Sequence, residues 1–304
     1  MAFKFTAVAL VALSHQVQGH LSFMRLAVNG EWQEPLRYFR NKTAPFEEPH
    51  TPYANYGTRY WLEPVYASDL KESVRCGRDN MAHAANTEVL MVKAGDTMEV
   101  AHSRIEPHAW EDDQFNNCPE GRGTCDTRRE DRLMTIGHPG PILVHLSKVP
   151  EGQNIHEYDG SGEWTKIMTL GLDMQPNNTE PVHWLAYNYE QKPDRFIFKI
   201  PAQTPEGDYL LRTDLIWPGF DWPEVSSSGL AQLYPSCAQI HVVSDVTGSL
   251  PEGGISIPED FSHTSLGMST TLEMYRNHVL DPDFVYPGGP LWDGETLVQD
   301  KPVV

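Results

Sequence analysis

Gly207-Asp-Tyr-Leu-Leu-Arg-Thr-Asp-Leu-Ile216 reads as a long β-strand, and the rest of the sequence falls into place around it. Pro141-Ile-Leu-Val-His-Leu-Ser147 alternates, with Ile142, Val144 and Leu146 on one face. Arg195-Phe-Ile-Phe-Lys-Ile200 alternates too, and Ala238-Gln-Ile-His-Val-Val243 is a further extended run. Thr87-Glu-Val-Leu-Met-Val92 and Thr97-Met-Glu-Val-Ala101 flank the turn cluster Lys93-Ala-Gly-Asp96. No segment carries a 3.6-residue period with caps. Gly (23) and Pro (24) sit mostly between the extended runs. Many short strands with turn punctuation predict an all-β, antiparallel β-sandwich with long loops. There is no repeat, coiled coil or Ser/Thr-rich linker. After about Ser244 the chain is irregular and Pro/Gly-rich, as if it wraps the sandwich.

With 304 residues and 39% apolar content, the chain is long enough to bury a core without a metal or disulfide. Its formal charge is −19. A surface that acidic repels phosphate backbones and anionic lipid heads, which argues against nucleic-acid and peripheral membrane partners. The start reads as a secretory leader: Lys4, the apolar run Phe5 to Leu13, then polar Ser14 to Gly19. That run is too short to span a bilayer, and no other stretch is long and apolar enough. The expected division is therefore a leader over 1–19, one domain over 20–293 and a C-terminal tail over 294–304. Secretion favours disulfides. Cys76, Cys118, Cys125 and Cys237 allow three pairings; Cys118 and Cys125 can close a short ring, which leaves Cys76 with Cys237. Asn41-Lys-Thr and Asn177-Asn-Thr are glycosylation sequons.

Cleavage after Gly19 would make His20 the first residue. An N-terminal histidine offers its α-amine and its imidazole to one metal in a chelate ring. The amine has a pKa of about 7.7–8.0, so near-neutral pH leaves much of it free to bind. One more imidazole from elsewhere would complete a planar three-nitrogen site, the donor set and geometry that suit Cu(II).

His20-Leu-Ser-Phe-Met-Arg-Leu-Ala-Val-Asn-Gly30 resembles the mature start of fungal lytic polysaccharide monooxygenases of auxiliary activity family 9. The resemblance continues in order through Val92 to Thr97, Gly137-His-Pro-Gly-Pro-Ile142, Pro205 to Arg212, Ala231-Gln-Leu-Tyr-Pro-Ser-Cys237 and Ile257 to Pro290. It implies an immunoglobulin/fibronectin-III-like sandwich, secreted and monomeric, with one copper ion. On the family's pattern His20 and His138 are the copper-binding imidazoles, Tyr234 is the axial tyrosine, and Gln232 is the outer glutamine of the oxygen side. Cys76 and Cys237 fall where the family has its inter-strand disulfide. The implied partners are an insoluble polysaccharide (cellulose or hemicellulose), an electron donor, and O₂ or hydrogen peroxide. Alone, a histidine between Gly and Pro residues reads as a loop residue and a strand tyrosine as core.

Two features depart from the family. Gly219 falls where a second histidine usually hydrogen-bonds oxygen species, and no histidine occurs between Arg212 and Cys237. The alternative expectation is thus a secreted copper-binding sandwich with little or no oxidative activity, with His108 as the candidate substitute donor. The segment 103–137 is also long for the family. It carries Trp110, Phe115, Cys118 and Cys125. As a disulfide-braced extension of the substrate face, its residues 111–132 would be needed for polysaccharide binding and dispensable for copper. Hydrolysis by paired carboxylates lacks a convincing constellation, and serine chemistry lacks a Gly-x-Ser-x-Gly elbow.

Overall fold

The computed structural model describes residues 19–42, 61–174, 183–187, 194–220, 229–276 and 279–302; the expected leader as far as Gln18 and the Asn177 sequon lie outside the described residues. The chain forms a β-sandwich. The smaller sheet has the order Glu31–Trp32, Ser22–Val28, Thr97–Ser103, Phe196–Lys199. The larger runs Leu297–Val298, Leu291–Trp292, Glu163–Leu170, Ile142–Lys148, Gly207–Trp217, Ser236–Val243, Leu90–Lys93. Gln232–Leu233 pairs with the far end of Gly207–Trp217, and Ile255–Ser256 pairs with Glu163–Leu170.

Pairing is antiparallel with local exceptions. Leu90–Lys93 runs parallel to Ser236–Val243, and Leu291–Trp292 parallel to Glu163–Leu170. The first of these strands ends in the turn at 93–96. Asp96 Oδ2 accepts from the Lys93 amide at 2.7 Å, and Gly95 takes φ +94°, a conformation open to glycine. The turn closes no hairpin: the strand before it joins the larger sheet and the strand after it joins the smaller. It is the corner at which the chain changes layers.

The interior lies between the sheets. Ile142, Val144, Leu146, Leu211 and Leu215 of the larger sheet meet Phe23, Met98, Val100, Phe196 and Phe198 of the smaller. The outer face of the larger sheet is covered as well. Leu143, Leu210 and Ile216 pack there with Trp164, Ile257 and Phe261. Burial on both faces is why Gly207–Trp217 shows little apolar/polar alternation. The polar residues on the covered face are paired: Arg212 and Asp214, both fully buried, meet at 2.6 Å, and Arg212 Nε donates to the Arg75 carbonyl at 2.7 Å. Asp300, near the end of the described chain, meets the buried Lys166 amine at 2.7 Å.

Helices are short: Lys71–Cys76, Asn80–Ala84 and Leu272–Arg276. A Cys76–Cys237 disulfide ties the first of them to the larger sheet, and a Cys118–Cys125 disulfide closes a ring within the long 103–137 segment. That segment lies against the smaller sheet. Arg25 donates to the carbonyls of Phe115 (3.2 Å) and Gly123 (2.7 Å), and the Trp32 indole donates to Gly121 at 2.8 Å.

Candidate metal centre

Three pieces of backbone deliver the candidate residues to one end of the sandwich. His20 lies just ahead of the first strand, His138 just ahead of Ile142–Lys148, and Tyr234 between Gln232–Leu233 and Ser236–Val243. Their rings form a nearly equilateral triangle. Centroid separations are 5.7 Å for His20–His138, 5.9 Å for His20–Tyr234 and 5.8 Å for His138–Tyr234.

Tyr234 is the buried floor of this triangle, 1% exposed. Its hydroxyl donates to Gln232 Oε1 at 2.6 Å, and its amide donates to Asp214 Oδ1 at 2.6 Å. Burial, with Tyr66, Glu63 and Asp214 nearby, holds the phenol well above its ordinary pKa, so the oxygen stays neutral.

His138 has the environment of a ligand. Burial first, then the proximity of His20 and Arg104, pushes its pKa down to about 3, so the ring is neutral at any physiological pH. Its Nε2 is buried and has no hydrogen-bond partner among the described residues. A buried nitrogen without a partner is costly in a native fold. Trp217 stacks flat on the imidazole, centroids 4.1 Å apart and planes 9° off parallel, which fixes the ring plane. In front of Nε2 lies residue 19: a Cβ built on Gly19 would come within 2.2 Å of that nitrogen. His20 Nδ1 faces Glu63 Oε1 at 3.3 Å.

Gly219 has no room for a side chain. A Cβ there would lie 2.2 Å from the Gly229 carbonyl oxygen and 2.8 Å from the Ala231 amide nitrogen. The place of the expected histidine is filled by main chain. His108 is exposed on the 3₁₀ turn Pro107–Ala109 and makes no ring contact with the three site rings among the described residues. Asn41, of the first sequon, accepts from the Trp61 indole at 2.9 Å and from the Lys42 amide at 2.8 Å through its side-chain oxygen.

Sequence reasoning thus marks out residues that do converge: His20, His138, Tyr234 and Gln232. It passes over Trp217 and Glu63. Trp217 stands two residues before Gly219, and an aromatic ending a strand beside Pro218-Gly219 was the available signal. Glu63 had none, because its nearness to His20 depends on a loop crossing.

A sandwich with two imidazoles and a buried phenol converging at one end defines an immunoglobulin-like scaffold with a nitrogen-rich site. Residues 20–280 match Auxiliary Activity family 9 (formerly GH61), and the chain belongs to that family. It is 29% identical over 293 residues to AA9 family lytic polysaccharide monooxygenase H of Malbranchea cinnamomea, covering 96% of this chain and 100% of that one. It is 28% identical over 255 residues to AA9 family lytic polysaccharide monooxygenase D of Emericella nidulans, covering 84% and 72%. Among solved structures it shares the fold of CvAA9A, with a TM-score of 0.58 at 18% identity over 91% of this chain and 100% of that one. It shares it also with a cellulose-active polysaccharide monooxygenase from M. thermophila, with a TM-score of 0.55 at 21% identity over 90% and 99%.

Proposed function

We propose that the chain is the precursor of a secreted, copper-dependent lytic polysaccharide monooxygenase acting on cellulose or a related β-glucan. The observation that carries this reading is the buried, partnerless Nε2 of His138 set against His20. Among the described residues no three His, Cys, Asp or Glu side chains gather as a metal site, and in this reading the third donor is the α-amine of His20. Removal of residues 1–19 would do two things at once: it frees the α-amine of His20, and it clears Gly19 from the space before Nε2. The α-amine and Nδ1 of His20 with Nε2 of His138 would then hold one copper ion, for which nitrogen donors are suited.

Copper bound there would supply one-electron chemistry toward O₂ or hydrogen peroxide. The chain's own part is to hold that set still. Trp217 fixes the plane of His138, Gln232 accepts from the Tyr234 hydroxyl, and the buried Tyr234 keeps its proton and offers a neutral oxygen on one side. His20 remains 30% exposed at its side chain, so the centre can face an insoluble polymer chain from outside. The M. thermophila neighbour is cellulose-active, which makes cellulose the first substrate to test.

The test is mass spectrometry of soluble products from cellulose and hemicellulose, with copper and ascorbate. The wild type is expected to release oxidised oligosaccharides and His138→Ala to release none. The sealed space at Gly219 favours a second reading, a copper-binding sandwich with little oxidative activity. Tight copper binding with no oxidised product would support that reading.

A further inference from the structure

Glu63 lies beside the metal centre proposed above. Glu63 Oε1 lies 3.3 Å from His20 Nδ1, and its side chain is 15% exposed. The segment carrying it is pinned to the backbone that carries Gln232 and Tyr234. Val65 and Leu233 exchange both main-chain hydrogen bonds, each 2.9 Å. The buried Arg78 donates to the carbonyls of Glu63 at 3.0 Å and Pro64 at 2.6 Å. Glu63 is therefore held beside His20 by the same strand crossing that places the tyrosine, and its charge contributes to raising the Tyr234 phenol.

The nitrogen it faces is the one that matters. Only Nδ1 of a histidine can close a small chelate ring with its own α-amine; Nε2 points away. We infer that Glu63 sets the charge beside the copper centre, an inference that rests on the reading of that centre given above. Its carboxylate stands 3.3 Å from the metal-binding nitrogen, and its negative charge in a partly buried site favours the doubly over the singly charged ion. A carboxylate at this position lowers the reduction potential of the centre and strengthens its hold on Cu(II).

The experiment uses the chain beginning at His20, loaded with one equivalent of Cu(II). It compares the wild type with two neutral variants, E63Q and E63S, and one that keeps the charge, E63D. The readouts are the midpoint potential, the Cu(II) electron paramagnetic resonance spectrum and the melting temperature of the metal-free protein. Both neutral variants are expected to favour Cu(I) over Cu(II) at least tenfold relative to wild type, a rise of about 59 mV for a one-electron couple, with an altered Cu(II) spectrum. E63D is expected to stay near the wild-type potential. A purely structural role for Glu63 would lower the melting temperature without moving the potential, and that result overturns the inference. So does an E63D shift as large as that of E63Q. A wild type with no nitrogen-rich Cu(II) spectrum overturns the metal-centre reading itself, and this inference with it. A normal wild-type spectrum with unmoved neutral variants overturns only the role of Glu63.

Discussion

Trp217 and His138 show how much of a binding site resides in the orientation of single side chains. An imidazole pressed flat under an indole cannot swing, so the lone pair of Nε2 keeps one direction. Trp217→Ala removes that constraint while leaving the donor atoms in place. It is expected to weaken Cu(II) binding about tenfold by titration calorimetry, the lower end of what losing a supporting residue costs a metal site. Trp217→Phe is expected to restore most of the loss. A second histidine is perturbed by the same cause, burial, away from this site. His102 is buried in the smaller sheet, its Nε2 has no partner among the described residues, and burial pushes its pKa down to about 3. The unfolded chain takes up this proton first as pH falls, so the native state loses stability between about pH 6.5 and pH 3, by on the order of a few kcal/mol. Denaturant melts from neutral to acid pH are expected to show a shallower acid loss in His102→Gln. The histidines and the tyrosine of the site were legible in the sequence because local motifs mark them. Trp217 and Glu63 were not, since what they do depends on distances between segments far apart in the chain.

Among the elements, the strands were legible and their partners less so. Apolar alternation and Pro/Gly punctuation mark where Ile142–Lys148 and Gly207–Trp217 run, because those are local properties of the chain. That the two strands flanking 93–96 part into different sheets is decided by which faces they bury, and no local pattern states it. The short strand at Gly219–Phe220 is the element that most alters the site. It pairs in parallel with Ser269–Thr270, and the main chain at 229–231 closes over Gly219. Restoring the family's histidine there by Gly219→His is expected to fail: with backbone 2.2 Å from the new Cβ, the chain must move, at a cost of about 2 kcal/mol or more. Urea denaturation of the metal-free protein measures that loss, and copper-dependent product release is expected to show no gain.

At the scale of the whole molecule, two disulfides constrain loops of very different size. Cys76 and Cys237 are 161 residues apart, Cys118 and Cys125 only 7. Chain entropy gives the long loop roughly 5 kcal/mol and the short one roughly 2.5 kcal/mol. The double variant Cys76→Ser/Cys237→Ser is therefore expected to lose about twice as much stability in denaturant melts as Cys118→Ser/Cys125→Ser. The short ring belongs to the long 103–137 segment, which is gripped by Arg25 and Trp32 and whose Trp110 meets Trp61 edge to face at 5.7 Å. Deleting 111–132 would take Phe115 from the cluster of Met24 and Trp61 and leave Trp110 in place. Acidic charge spread over the whole chain, −19 in formal terms, suits a neutral polymer as partner.

The proposed copper centre requires a free amine at His20. The direct measurement is a Cu(II) titration of two otherwise identical chains, one beginning at His20 and one retaining Gly19 before it. Tight one-to-one binding is expected for the first and a loss of at least a hundredfold in affinity for the second, because Gly19 both ties up the nitrogen and fills the space before His138 Nε2. Equal affinity in the two chains would contradict that requirement.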